Sequence, residues 1–159
     1  MKTPKILTHL WFEKDADKAA AFYCSIFPDS RVDRVTPLAA DSPSGPAGSV
    51  VMVEFTLLGA PFMAITAGKH DPFNDAASIL VNCDTQAEID KYWNAIQEGG
   101  KAVACGWVID RYGVRWQITA SVLRDLLTSA DEKVRQRVAA AQMKMKKIDI
   151  AALQAAAKG

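Results

Sequence analysis

An internal repeat constrains this chain more than any other feature. Shifted by 70 residues, Asp15 falls on Thr85, and both are residue types that cap helix N-termini. Behind them Ala19 falls on Ile89, Phe22 on Tyr92, Tyr23 on Trp93 and Ile26 on Ile96, so two helices share one apolar face. Leu10 falls on Leu80 in the strand-like runs ahead of those helices. Further on, the run from Gly59 to Ile65 mirrors the run from Gly113 to Ile118 with one residue of slip. The repeat predicts two β-α-β-β-β units, each too small to bury both faces of its own sheet.

The elements follow from local pattern. Lys5 to Phe12 reads as a buried strand, and Asp15 caps a helix that Pro28-Asp29 ends. Arg31 to Leu38 alternates as a strand, and the Pro-, Gly- and Ser-rich run Ala39 to Ser49 is a loop. Ser49 to Leu57 and Pro61 to Thr66 form a hairpin about Leu58-Gly59-Ala60. Ala76 to Cys83 is the next strand. Thr85 with Glu88 makes a capping box, and Gly99-Gly100 stops that helix. Ala102 to Ile109 and Val114 to Ala120 read as further strands around the polar turn Asp110-Arg111-Tyr112-Gly113. Val122 to Thr128 suits a short helix. Val134, Val138, Ala141, Met145 and Ile148 then form one amphipathic stripe, and Asp149 caps a last helix, Ile150 to Ala157. The predicted domains are 1–120, carrying the paired units, and 121–159, a C-terminal helical extension.

Composition excludes several classes. With 159 residues, 50% apolar and 23% charged, the chain can bury a core without disulfides or a structural metal. Nineteen Lys and Arg against 18 Asp and Glu give a net charge of +1, which is not the surface of a nucleic-acid binder. No apolar run reaches the ~18 residues of a membrane span, and no signal peptide opens the sequence. Three widely spaced cysteines, Cys24, Cys83 and Cys105, argue against a disulfide framework, and with no signal peptide the expectation is a cytoplasmic protein with reduced thiols. There is no G-x-G-x-x-G, P-loop or G-x-S-x-G.

Four segments carry a family resemblance. They are His9-Leu10-Trp11-Phe12 leading to Phe22-Tyr23 and Ile26-Phe27-Pro28-Asp29-Ser30; Val81-Asn82-Cys83-Asp84-Thr85; Cys105-Gly106-Trp107 with the run from Asp110 to Ile118; and the run from Met145 to Leu153. Together they span nearly the whole chain. With the paired units, they resemble the vicinal oxygen chelate superfamily (glyoxalase, bleomycin resistance, dioxygenase), and within it the PhnB-like branch named 3-demethylubiquinone-9 3-methyltransferase. The resemblance implies an α+β fold: a glyoxalase-like half-barrel of two βαβββ units with a C-terminal helical extension. It implies a small molecule held in a cup between the units. The alternative it offers is a metal-dependent lyase, isomerase or transferase of the glyoxalase type. Methyl transfer from S-adenosylmethionine is not expected, because Glu13-Lys14-Asp15-Ala16-Asp17 follows the first strand where a glycine-rich turn belongs.

Superfamily members commonly hold a divalent ion on four strand positions. By resemblance these fall on His9, near Met63, near Ser78, and on Gln117. Met and Ser are poor ligands for hard divalent ions and no carboxylate offsets the charge, so no cofactor is expected; His9 and Gln117 are the only metal candidates. Read from the residues alone, Glu54 interrupts an apolar strand: facing the cavity it is the one candidate base, facing solvent an ordinary alternating polar residue, and the catalytic residues are otherwise unassigned. Trp11, Trp107 and Trp116 lie on strands and are candidate pocket walls beside His9, Glu54, Met63, Ser78 and Gln117. The expected partners are a small-molecule ligand and a second copy of the chain, with no nucleic acid and no membrane. In that homodimer the residues after about Ala130 pack on a sheet edge or cross to the other subunit.

Overall fold

Repetition in the sequence becomes repetition of elements in the computed structural model, which describes residues 4–159. The first half is β1 (Thr8–Phe12), α1 (Ala16–Ile26), β2 (Arg31–Pro37), β3 (Val51–Leu57) and β4 (Ala60–Thr66). Its strands lie in the order β1-β4-β3-β2, with β1 parallel to β4 and the other pairs antiparallel. The second half is β5 (Ile79–Cys83), α2 (Gln86–Gln97), β6 (Lys101–Ala102), β7 (Trp107–Ile109) and β8 (Arg115–Ala120), in the order β5-β8-β7-β6, with β5 parallel to β8. Both halves are βαβββ, in the same strand order. Three helices follow: α3 (Ser121–Leu127), α4 (Glu132–Gln142) and α5 (Ile150–Lys158). The chain divides into two compact units, Met1–Asp71 and Pro72–Gly159, and α3, α4 and α5 belong to the second.

Each unit covers one face of its sheet with its own helix. In the first, Tyr23, Ala19 and Ala20 of α1 are buried together with Leu10, Phe12, Val53, Phe55 and Ala64. The Phe55 ring stacks on Phe62 with centroids 5.4 Å apart. In the second, Ile89, Tyr92, Trp93 and Ile96 of α2 are buried, as are Val81, Cys83, Trp116 and Ile118. Because side chains alternate along a strand, the residues between these core positions point to the other face of each sheet.

The structure amends the sequence reading at several points. The helices match at a shift of 70 but the preceding strands match at 71: Leu10 and Phe12 are buried, as are Val81 and Cys83, whereas Leu80 is 50% exposed. His9, not Leu10, is therefore the counterpart of Leu80. The first strand begins at Thr8 rather than Lys5, and the fifth at Ile79 rather than Ala76. The run Ala102 to Ile109 is two strands, broken where Cys105 and Gly106 take positive φ (54° and 87°). The apolar stripe ending at Ile148 is not one helix, since α4 stops at Gln142. Ile148 is wholly buried in the turn before α5.

The caps are mixed. Thr85 and Glu88 form the reciprocal capping box of α2, and Asp149 accepts the Ala152 N–H at the head of α5 (2.9 Å). Asp15 stands at the head of α1 but caps nothing. It takes φ 63° and its carboxylate pairs with Lys18 at 2.8 Å, which holds it below the usual carboxylate range. The Ala16 N–H is accepted instead by the Thr66 hydroxyl of β4 (2.9 Å).

Candidate ligand-binding site

The face of the first sheet opposite α1 carries one row of side chains, set by strand register. His9 of β1 pairs with Met63 of β4, Met63 with Glu54 of β3, and Glu54 with Arg34 of β2. Neighbouring strands are ~4.8 Å apart, so His9 and Glu54, two strands apart, start from backbones roughly 10 Å apart. Arg34 grips Glu54 with both arms of its fork: Nε donates to Oε2 (2.9 Å) and Nη2 to Oε1 (2.9 Å) and Oε2 (2.6 Å).

A cavity of about 590 Å³ opens over the Glu54–Met63 part of this row. Leu7, Pro61 and Met63 supply its apolar wall; Arg31, Asp33, Arg34, Glu54 and Thr56 supply its polar one. Asp33 accepts the Thr56 hydroxyl (2.7 Å) and pairs with Arg31 Nε (2.7 Å). The first unit has one cysteine, Cys24, whose Sγ lies 3.8 Å from the Thr56 carbonyl. Burial, then the Asp33 charge, pushes that thiol above its ordinary pKa, the wrong direction for a nucleophile at neutral pH.

Of the sequence candidates, Glu54 and Met63 meet in this cavity, with His9 beside Met63 in the adjoining strand. Trp11 is 41% exposed, and its indole N–H donates to the Gly68 carbonyl (3.1 Å). The second unit has its own row: Leu80, Gln117 and Trp107 are in register on β5, β8 and β7. Gln117 Nε2 donates to the Ser78 hydroxyl (2.8 Å). Trp116 lies on the other face of β8, buried, with its indole N–H donating to Asp110 Oδ2 (2.8 Å). Arg31, Asp33, Arg34 and Thr56 went unread in the sequence. Simple alternation along β2 sends Arg31 and Arg34 to opposite faces, so the sequence pattern alone does not bring them together.

The donor set of the superfamily's metal can be tested against these rows. By internal equivalence Met63 corresponds to Gln117, and His9 to Leu80, which offers no donor atom at all. Glu54 is the one carboxylate in the first row, and the Arg34 guanidinium beside it sets a positive charge against any cation there. Among the described residues no three His, Cys, Asp or Glu side chains are grouped to hold an ion, and no buried side-chain N or O lacks a partner. A hard divalent ion wants several carboxylate or imidazole donors, and these residues do not fit one.

Two four-stranded βαβββ sheets with this strand order define a protein of the glyoxalase-like, vicinal oxygen chelate fold. Within that class, the chain belongs to the 3-demethylubiquinone-9 3-methyltransferase family, whose sequence profile matches residues 4–119. The PhnB protein of Bacillus cereus, itself described by that methyltransferase name, is 33% identical, with a TM-score of 0.66 over 74% of this chain and 100% of its own. The fosfomycin resistance protein FosX of Listeria monocytogenes shares the fold at 16% identity and a TM-score of 0.57, covering 81% of this chain and 100% of its own. A mutant of that FosX has been solved with Mn(II) and 1S,2S-dihydroxypropylphosphonic acid (TM-score 0.52, 16% identity, 73% of this chain and 90% of its own). No curated protein matches the chain. Among the described residues, no helix is long and apolar enough to cross a membrane.

Proposed function

We propose that this protein binds a small organic molecule on the face of its first sheet opposite α1, without a resident metal ion. The observation that carries the reading is the cavity itself. At about 590 Å³ it lies within the range of ligand pockets, and it sets an apolar wall of Leu7, Pro61 and Met63 against a few fixed polar groups. Such a wall supplies affinity and the polar groups supply orientation. The donor chemistry argues for binding rather than metal-assisted turnover, since His9 stands next to a thioether and the Arg34 guanidinium beside Glu54 opposes a cation there. Methyl transfer has no support beyond the family's name: no glycine-rich turn follows β1, and the sheets are not doubly wound.

The reading includes a cytoplasmic homodimer. All seven residues of the edge strand β2 are exposed, and an open ladder edge needs covering. Cys24, Cys83 and Cys105 are unpaired, as in a reducing compartment.

A fragment screen read by amide resonances tests the binding, run with and without added Mn(II). Neutral fragments should shift the Glu54, Thr56 and Met63 amides in metal-free protein, and Met63→Trp, which fills the cavity, should abolish those shifts. Binding that appears only with Mn(II) would favour a metal-dependent enzyme of the FosX kind. Fragments that bind but leave these amides unmoved would place the site elsewhere.

A further inference from the structure

Arg31 and Arg34 are three positions apart on β2, and in a regular strand they point to opposite faces. Here they do not. Arg31 is opposite Thr56 and Val32 opposite Phe55, but the next pair is Arg34 with Glu54, Asp33 being left over as a bulge. Thr56 and Glu54 are two apart on β3 and share a face, so the bulge turns Arg34 to the side where Arg31 already lies. Both line the cavity. Bulges next to functional sites re-aim side chains in this way.

What the re-aiming assembles is a pair of guanidinium groups over one opening. Each commits only part of its donor set: Arg31 its Nε to Asp33, and Arg34 its Nε and Nη2 to Glu54. Among the described residues, Arg34 Nη1 and both terminal nitrogens of Arg31 have no such partner. The Arg34 and Arg31 side chains are 66% and 56% exposed. Ion pairs so exposed contribute at most about 1 kcal/mol and are readily exchanged. Glu54 thus occupies the fork of Arg34 as an exchangeable carboxylate, in the two-pronged geometry that guanidinium groups offer to planar carboxylates and to phosphate-type oxyanions. Charges and a bulge that merely blunt an edge strand against aggregation need not bring two guanidinium groups to one face over a cavity.

We propose that the β2 bulge builds an oxyanion-recognition edge on this cavity, so that the small molecule bound there carries a carboxylate, phosphate or phosphonate group which displaces Glu54 from Arg34. The inference rests on the binding reading above and narrows it to a substrate class.

The test titrates inorganic phosphate, methylphosphonate and acetate into the full-length protein, following the Arg34 Nε–Hε resonance and the Thr56 amide. The expected result is a saturable shift. Glu54→Gln should tighten it about three- to fivefold by removing the competing carboxylate. Arg34→Gln should weaken the Thr56 shift about tenfold or more, and Arg34→Lys should restore only part of it because the fork is lost. A preference for acetate over phosphate and methylphosphonate identifies a carboxylate ligand, and the reverse a phosphorus oxyanion. Anion binding that Arg34→Gln leaves unchanged, or that Glu54→Gln fails to tighten, overturns the proposal. If neutral fragments occupy the cavity while no anion saturates Arg34, this inference fails and the binding reading stands. If anions saturate Arg34 while no fragment enters the cavity, the organic pocket fails instead.

Discussion

Asp110 is the residue whose role the sequence concealed best. Read as part of a polar turn, it is a buried carboxylate that closes the hairpin between β7 and β8. Its Oδ1 accepts the Tyr112 and Val114 N–H groups (2.8 and 3.0 Å), and its Oδ2 accepts the Trp116 indole (2.8 Å). The two backbone N–H groups and the indole N–H depend on it. Asp110→Ala strands a buried indole N–H and two backbone N–H groups, and should destabilise the protein by about 3 kcal/mol, seen as a lower denaturant midpoint with unchanged slope. A loss below about 1 kcal/mol would mean that water replaces the carboxylate. The same contact explains why Trp116 is a core residue: its partners in parity, Ile118 and Ala120, were readable as apolar, but the buried acceptor for its N–H was not. Cys83 offers a second measurement. Burial, with Glu88 and Asp84 adding to it, pushes its thiol up to about 12 from 9.0. The folded state favours the protonated thiol, so this contribution to stability is intact below pH 9 and is lost as pH rises from 9 towards 12. Iodoacetamide at pH 9 should therefore leave Cys83 unmodified until the protein unfolds, while Cys83→Ser should flatten the fall in stability over that window.

Among elements, the two βαβββ units show what a repeat makes legible and what it hides. The helices were legible because apolar residues recur at fixed spacing, and Thr85 with Glu88 is a signature that needs no tertiary context. The head of α1 was not, because its capping group comes from β4. Thr85→Ala and Thr66→Val should each cost about 1 kcal/mol, the first by removing a local cap and the second by removing one supplied across the sheet. Thermal melts of the two variants compare them directly. An unaffected Thr66→Val protein would show that the Ala16 N–H is satisfied by water. The bulge in β2 and the break between β6 and β7 were illegible for a similar reason. Nothing in Arg31-Val32-Asp33-Arg34 signals an unpaired residue. The turn at Cys105-Gly106 is held by the carbonyls of Met145 and Lys146, which accept the two N–H groups (2.8 Å each) from far along the chain.

For the whole molecule, the question is what the C-terminal helices do. The sequence stripe from Val134 to Ile148 argued for a partner surface, and much of that surface is in the second unit itself. Val138, Ile148 and Leu153 are all at 0% exposure. Gln86 of α2 donates to the Ile148 carbonyl (3.0 Å) and accepts the Ile150 N–H (2.9 Å). Lys147 pairs with Asp90 of α2 as well, which holds that carboxyl below its usual range. Gly106 shows how close the approach is: a Cβ there would lie 2.8 Å from the Ile118 carbonyl oxygen and 3.0 Å from Ile148 Cγ1, at a φ of 87°. Burial of three such aliphatic side chains contributes roughly 5 to 9 kcal/mol, comparable with the 5–15 kcal/mol by which a whole domain is typically stable. Removing residues 131–159 should therefore unfold the second unit rather than simply shorten the protein. Amide spectra of a 1–130 chain should lose the dispersion of residues in β5, α2 and β8 while those of β3 and β4 persist, the first unit having its own core. Light scattering on the full chain tests the proposed homodimer separately. A 1–130 chain that keeps wild-type dispersion in β5 and β8 would show that the helices are an accessory, and the apolar stripe would again need a partner outside the unit.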